Sequence, residues 1–72
     1  MQSYRIDYVA KLKDGGEITG LQRWYQAESA ASARRMLLTD VDLKADICAQ
    51  CGLQPLKESD ITSVRIVRAV EY

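Results

Sequence analysis

The chain has 72 residues and a mass of 8.1 kDa, and its ten basic and ten acidic side chains give a formal net charge of zero. This length predicts one small domain over residues 1–72, and 47% hydrophobic residues are too many for a disordered segment. The sequence contains no histidine, which is the usual general base and the commonest metal ligand. It also lacks a signal-peptide pattern and an apolar run near the roughly 18 residues of a membrane helix, so we expect no membrane partner.

A β-hairpin is predicted at the start of the chain. The segment from Tyr4 to Lys13 alternates between apolar and polar residues, which is the pattern of a half-buried strand. Asp14-Gly15-Gly16 then supplies glycines that accept the backbone angles of a tight turn. A second strand follows from about Glu17 to Ala27, and Gly20 marks a bulge or a bend within it.

One helix, or a pair of shorter helices, is predicted after the hairpin. Ser29 is placed to cap the first turn, and the alanines that follow it favour a helix. Thr39-Asp40-Val41-Asp42 would divide the segment, because Thr and Asp favour caps over helix interiors, and both alternatives stay open. Gly52 marks the end, with Pro55 in support. The residues expected to pack at helical spacing are Ala33, Leu37, Val41, Ala45 and Cys48, flanked by Met36 and Ile47.

A third strand is predicted from Ile61 to Tyr72, after a loop from Leu53 to Asp60. A right-handed crossover places this strand beside the first one. The predicted fold class is therefore α+β: a β-β-α-β chain with a three-stranded antiparallel or mixed sheet of order 3-1-2, and one helix or a broken helix pair on one face. On the third strand, the residues expected to share one side are Val64, Ile66, Val70 and Tyr72, interrupted by Arg68.

A single helical layer covers one face of such a sheet and leaves the other face open. Tryptophan and arginine dominate interface hot spots, so the candidate partner-binding residues are Trp24, Arg5, Lys11 and Arg65. A one-residue shift at Gly20 would instead bury Trp24 and expose Tyr25, and the pattern leaves both registers open. The residues expected on the open face are Arg5, Asp7, Val9, Lys11, Gln22, Trp24, Gln26, Ser63, Arg65 and Val67.

Both outer strands of the predicted sheet have an unpaired edge. A strand from a protein partner, or from a second copy of the chain, would pair there. At this chain length the gain from burial and the cost of ordering nearly cancel, so a homodimer is a further prediction.

Cys48-Ala49-Gln50-Cys51 is the one motif with chemical content. It supplies two thiolates, whereas a structural zinc site needs four ligands, so zinc would require two chains or added carboxylates. Redox-active pairs lie at a helix N-terminus, and this pair lies near a predicted C-terminus. We interpret both cysteines as small apolar residues one helical turn apart. Two unpaired thiols also predict a reducing compartment, the cytoplasm.

The sequence predicts that the chain is not an enzyme. Without histidine there is no nucleophile–base pair, and so small a body has no room for a deep pocket. The glycine-rich segment from Asp14 to Gly20 joins two strands, whereas a phosphate loop precedes a helix. We expect no catalytic residue, no metal and no cofactor.

Single-stranded nucleic acid is the alternative partner. Trp24 and the tyrosines could stack on unpaired bases, as in sheet-based RNA readers. Half of the acidic residues lie between Glu28 and Glu58, so negative charge would collect on the helix side. A net charge of zero and a pI near 6.2 argue against strong attraction to phosphate. The basic residues on predicted strands are Arg5, Lys11, Lys13, Arg23, Arg65 and Arg68.

The tract Tyr25-Gln26-Ala27-Glu28-Ser29-Ala30-Ala31-Ser32-Ala33-Arg34-Arg35 resembles that of small phage-encoded proteins, including anti-CRISPR inhibitors. The element order from Tyr4 through Val70 also resembles archaeal ribosomal protein LX and its eukaryotic relatives. The first resemblance implies a stoichiometric inhibitor that occludes a host protein surface. The second implies RNA contact, although the basic excess of a ribosomal protein is missing. Neither resemblance assigns an active residue.

These observations together predict a non-enzymatic protein-binding module, either a phage-type inhibitor or a small regulatory adaptor. It would act through the open sheet face or through a sheet edge. The alternative is single-stranded RNA binding through the same face.

Overall fold

The computed structural model describes residues 1–52 and 56–72. Three strands of equal length form one sheet: β1 (Gln2–Leu12), β2 (Glu17–Ala27) and β3 (Ile61–Glu71). Between β2 and β3 lie the helices α1 (Ala30–Thr39) and α2 (Leu43–Cys51), and a single 3-10 turn, Glu58–Asp60, leads into β3. The predicted bounds of β2 are confirmed.

The central strand of the sheet is β1, which pairs antiparallel with β2 on one side and with β3 on the other. The order β2-β1-β3 is the predicted order 3-1-2 read from the opposite edge, and the sheet is antiparallel throughout. The α+β class is therefore confirmed, and of the two predicted alternatives the helical segment adopts the broken helix pair.

The core lies between the sheet and the two helices. Alternate residues of β1 point toward the helices, as the period of the sequence predicts. Each fully buried large apolar side chain stabilises the fold by about 1.5–3 kcal/mol relative to an exposed one. The largest such side chains are Tyr8, Ile6, Leu37 and Ile47.

Gly20 forms the predicted bulge in β2. Tyr8 pairs with Leu21 and Ala10 pairs with Ile18, so β2 carries one residue more than β1 over this stretch. Gly20 has a φ of +76°, which only glycine adopts without strain. The bulge comes before Trp24 in the chain, and it sets which face of the sheet the rest of β2 presents.

The helical segment divides after Thr39. Ser29 caps α1 as predicted, because its Oγ accepts a hydrogen bond from the Ser32 backbone N–H at 3.1 Å. The Asp40 carboxylate accepts a bond from the Asp42 backbone N–H at 3.0 Å, which holds a turn between the helices. Aspartate favours such local bonds over a helix interior.

The predicted apolar row is wrong at Val41 and Ala45, whereas its last member, Cys48, packs against the core as predicted. Val41 lies in the turn and is 92% exposed, and Ala45 is exposed on α2. The turn changes the direction of the chain, so α2 starts a new helical period and buries Leu43 and Ile47. Met36 is also exposed.

The predicted side pattern of β3 is wrong after Val67. Tyr8 pairs with Ile66 and Asp7 pairs with Arg68, so Val67 is an extra residue in a bulge. The alternation therefore reverses there. Ala69 packs against the core, while Val70 pairs with Arg5 on the open face.

The end of α2 lies where the sequence predicts it. Gly52 follows the helix with a φ of +43°, a value typical of glycine at helix ends. Pro55 and the start of the predicted loop lie outside the described residues. The later part of that predicted loop holds the 3-10 turn, whose Asp60 carboxylate accepts a bond from the Lys57 backbone N–H at 3.1 Å.

Candidate functional site

The face of the sheet opposite the helices carries Trp24, which is 54% exposed. Trp24 pairs with Arg5 of β1, whereas Tyr25 pairs with Tyr4 and points toward the helices. The register with Trp24 on the open face is thus confirmed, and the alternative register with Tyr25 outside is wrong. Gln22 lies on the same exposed face, as predicted.

Trp24 does not stand alone, because the side chain of Tyr72 lies against it. The two ring centroids are 4.8 Å apart with planes inclined by 49°, a tilted aromatic pair. The Arg5 guanidinium carbon lies 5.6 Å from the Tyr72 ring centroid, and Arg5 Nη1 donates a hydrogen bond to Tyr72 Oη at 2.6 Å. We call Arg5, Trp24 and Tyr72 the aromatic cluster.

Asp7 fixes the guanidinium of the aromatic cluster. Arg5 Nε and Nη2 donate to the two Asp7 carboxylate oxygens at 2.8 and 3.2 Å, a bidentate pair. Hydrogen bonding to Asp7 raises the pKa of Arg5 above its usual value, and the Tyr72 phenol adds to the shift. Arg68 approaches the same carboxylate, with its Nε 3.3 Å from Oδ2. Arg5 is therefore held in one orientation.

A shallow hollow of about 500 Å³ lies beside the aromatic cluster. It lies between the bulge of β2 at Gly20 and the bulge of β3 at Val67, which both line it. Val9 also lines the hollow and is only 6% exposed, so the base of this region is apolar. A hollow of this kind can receive an apolar side chain from a partner.

Two of the four predicted contact residues lie away from the aromatic cluster. Lys11 and Arg65 are exposed on the open face, where Lys11 pairs with Ser63 and Arg65 pairs with Val9. Lys11 lies six residues along β1 from Arg5, a distance of roughly 20 Å. The structure brings Arg5 and Trp24 together and leaves Lys11 and Arg65 at the other end of the face.

The sequence did not identify Tyr72, Asp7 and Arg68 as partners of Arg5 and Trp24. Tyr72 was predicted on the helix side, and the bulge at Val67 moves it to the open face. The signal for Asp7 was its place two residues after Arg5, because residues at this spacing share one face of a strand.

A second polar cluster lies on the helix side of the sheet, where Arg23, one residue before Trp24, points toward the helices. Arg23 Nη2 lies 3.0 Å from Asp40 Oδ2, and Arg23 Nη1 lies 3.0 Å from Asp46 Oδ2. The Tyr25 phenol donates to the same Asp40 oxygen at 2.7 Å. We call Arg23, Tyr25, Asp40 and Asp46 the helix-side network, because it ties β2 to the α1–α2 turn and to α2.

The helix-side network shifts the pKa values of its members. Burial, and then the hydrogen bond to Asp40, raise the pKa of Tyr25 to about 12. The bond from Tyr25, and then the Asp42 backbone N–H, lower the pKa of Asp40. Burial acts to lower the pKa of Arg23, but the bonds to Asp46 and Tyr25 outweigh it and the pKa is raised. The network therefore holds its charges in place across the ordinary pH range.

The two cysteines lie near the end of α2, as the sequence predicts. Both are partly buried and pack against the core. Burial, and then the nearby Glu58 carboxylate, raise the pKa of Cys48, which favours the thiol over the reactive thiolate. In the described parts of the chain no three His, Cys, Asp or Glu side chains are grouped so that they could hold a metal ion.

Comparison of the chain with protein-family models, with curated proteins and with solved structures gives no match. The resemblances to phage-encoded inhibitors and to ribosomal protein LX therefore stay predictions. Within residues 1–52 and 56–72, no helix combines the length and the apolar character that crossing a bilayer requires.

Proposed function

We propose that this chain is a non-enzymatic protein-binding module whose contact surface is the open face of the sheet, centred on the aromatic cluster. The observation that carries the proposal is the pairing of Trp24, 54% exposed, with Tyr72, 60% exposed, on a face that no helix covers. Exposed aromatic rings cost free energy in water, and a partner that covers them recovers it.

The geometry around the aromatic pair supports tight contact. Trp, Tyr and Arg are the residue types enriched at binding hot spots, and all three occur together here. Asp7 already fixes Arg5, so binding loses less side-chain entropy than it would for a free arginine. The hollow between the two bulges lies next to the pair and would receive an apolar side chain.

Lys11 and Arg65 serve in this proposal as peripheral contacts. Exposed charges at the rim of an interface act more on the association rate and on specificity than on affinity. They would orient a partner that carries acidic groups opposite the far end of the face. Covering a partner's surface in this way is sufficient for a stoichiometric inhibitor or a regulatory adaptor, without catalysis or cofactor. We place this function in the cytoplasm, because two unpaired thiols fit a reducing compartment.

Affinity capture from a nuclease-treated native lysate tests the proposal. We expect wild type to retain a protein in stoichiometric amount and Trp24→Ala to lose it. Leu38→Ala is the matched control, since Leu38 is an exposed large apolar residue on α1, away from the open face. Equal retention by all three proteins, with folds verified by circular dichroism, would rule out the aromatic cluster as the contact surface.

Single-stranded RNA binding is the second candidate, and one observation favours it. The open face carries four basic side chains, Arg5, Lys11, Arg65 and Arg68, against the acidic Asp7 and Glu17, although the whole chain is neutral. Aromatic rings beside such charges can stack on unpaired bases.

The single tryptophan of the chain reports directly on this alternative. RNA binding predicts that a single-stranded oligonucleotide quenches Trp24 fluorescence at about 50 mM salt and much less at about 200 mM. Unchanged emission at the lower salt concentration excludes it and leaves the protein partner.

A further inference from the structure

The two edges of the sheet differ in how their backbone groups are used. The Tyr72 backbone N–H donates to the Ser3 carbonyl at 2.8 Å, which fixes the alternation of inward and outward peptide groups along the antiparallel pair. Odd-numbered residues of β1 therefore bond to β3, and even-numbered residues bond to β2. It follows that Gln22, Trp24 and Gln26 of β2 direct their peptide groups away from the sheet.

A side chain of α2 closes the β2 edge at its middle. Gln50 Oε1 accepts from the Gln22 backbone N–H at 3.4 Å, and Gln50 Nε2 donates to the Gln22 carbonyl at 3.3 Å. The primary amide of Gln50 thus makes the two bonds that a neighbouring strand would make. Gln50 Nε2 also lies 2.7 Å from Asp46 Oδ2 and 3.3 Å from Tyr8 Oη, so its two N–H hydrogens are shared among three acceptors that hold the amide there.

The β3 edge has no such cover among the described residues. The alternation, corrected for the bulge at Val67, directs the peptide groups of Val64, Ile66, Ala69 and Glu71 away from β1. None of these groups makes a hydrogen bond to residues 1–52 or 56–72 beyond the sheet ladder. This edge is therefore the one at which a further strand can pair.

The side chains along the β3 edge define what such a strand must carry. On the open face the edge presents Arg65 and Arg68, and Arg68 is 63% exposed even though it approaches Asp7. On the helix side it presents the partly buried Val64, Ile66 and Ala69. An added strand would place alternate side chains beside these two rows.

We propose that the β3 edge binds an extended protein segment in which acidic and apolar residues alternate. The acidic side chains would pair with Arg65 and Arg68, and the apolar ones would extend the core beside Val64 and Ile66. A second copy of the chain fits less well, because its β3 brings the same two arginines to the edge. The inference rests on the proposed protein-binding function and assigns a second surface to it.

A fluorescein-labelled peptide of alternating glutamate and valine, titrated with the full chain and followed by fluorescence polarisation, tests the inference. We expect saturable binding, and at least a tenfold loss of affinity in Arg65→Glu. Arg34→Glu, a charge reversal of equal size on the exposed face of α1, is expected to bind like wild type. A peptide of the same composition with its glutamates in one block is expected to bind at least tenfold more weakly.

A proline pair tests the backbone bonds themselves. Ala69→Pro removes an outward N–H from the β3 edge, and Gln26→Pro removes one from the β2 edge, while the bonds to β1 stay. Loss of peptide binding in Ala69→Pro alone supports strand addition at β3. The inference is overturned if the wild-type chain does not bind the alternating peptide, or if it binds the alternating and the block peptide equally. It is also overturned if the chain forms a stable dimer that the peptide does not dissociate. Trp24→Ala is expected to bind the peptide normally, so failure of the edge and failure of the open face are separable.

Discussion

Two clusters of the same three residue types lie on opposite faces of one sheet. The helix-side network contains Arg23 and Tyr25 bonded to an aspartate, and the open face contains Arg5 and Tyr72 beside another aspartate. The first cluster joins β2 to the helical layer. The second joins β1 to the last residue of the chain, and no layer of the described chain lies above it.

The difference shows that position in the layers, and not residue type, separates a cluster that ties two layers together from a cluster that stays exposed. The acidic partners of Arg23 come from the α1–α2 turn and from α2, so breaking these bonds loosens one layer from the other. Asp7, the acidic partner of Arg5, comes from the same strand two residues away. Breaking that pair frees a side chain and leaves the packing of the layers intact.

Arg23→Ala is expected to give the largest effect on stability. Removing Arg23 leaves Asp40 and Asp46 without their cation, and we expect the free energy of unfolding to fall by about 2 kcal/mol. Arg5→Ala is the matched change on the open face and is expected to cost clearly less. Urea unfolding followed by circular dichroism measures both, and equal losses would contradict the distinction between the clusters.

Tyr25→Phe is expected to lower the free energy of unfolding by about 1 kcal/mol, because Asp40 loses a hydrogen bond of 2.7 Å. Tyr72→Phe, its counterpart on the open face, should leave stability nearly unchanged. Folding raises the pKa of Tyr25 from 10.0 to about 12, so its contribution is complete below pH 10 and lost as the pH rises toward 12.

The alkaline loss of stability should shrink in Tyr25→Phe. A smaller loss will remain, because burial also raises the pKa of Tyr8. Urea midpoints at a series of alkaline pH values measure this. An unchanged alkaline loss in Tyr25→Phe would show that folding does not raise the pKa of Tyr25.

The loss of stability at acid pH is expected to be smaller than the loss at alkaline pH. Folding lowers the pKa of Asp40, so the stability it provides is complete above about 3.9 and is lost as the pH falls below that value. Asp40→Asn should flatten this part of the pH profile, by less than about 1 kcal/mol because the pair is partly solvated. Tyr25→Phe should flatten it in part, since the phenol is the first cause of the shift. If the loss of stability at acid pH is unchanged in both variants, the helix-side network does not lower the pKa of Asp40.

Trp24→Ala is expected to change stability least, by less than about 1 kcal/mol, because more than half of the side chain already contacts water. The same variant is expected to have the largest effect on partner capture. A large loss of stability would move Trp24 from the contact surface into the set of residues that hold the fold.

Features with a local signal could be predicted from the sequence. The strand bounds of β2 follow from the turn glycines before it and from Ser29 after it, and the bulge follows from Gly20. Whether Trp24 or Tyr25 lies on the open face depends on that bulge. The sequence leaves both registers open, and the pairing of Trp24 with Arg5 in the folded sheet decides between them.

The rest required tertiary information. Nothing in the sequence around Val67 marks a bulge, because its neighbours are ordinary strand residues, yet this extra residue determines which face Tyr72 joins. The predicted row of apolar helix residues is wrong at Val41, because Val41 lies in the turn between the helices. That turn is held in part by the hydrogen bond of Asp40 to Tyr25, a residue of another element. Long-range side-chain bonds of this kind have no periodic signature.

The hydrogen bond between the Tyr72 N–H and the Ser3 carbonyl places the two chain ends side by side. This placement determines where the chain should be attached to a solid support. Both chain ends leave the sheet on neighbouring strands, about 5 Å apart, at the end that carries the Trp24 ring. A tag or resin linker attached at either end would crowd that ring and would mimic a binding defect. The turn around Gly15, at the opposite end of the hairpin, is the attachment point that keeps the surface accessible.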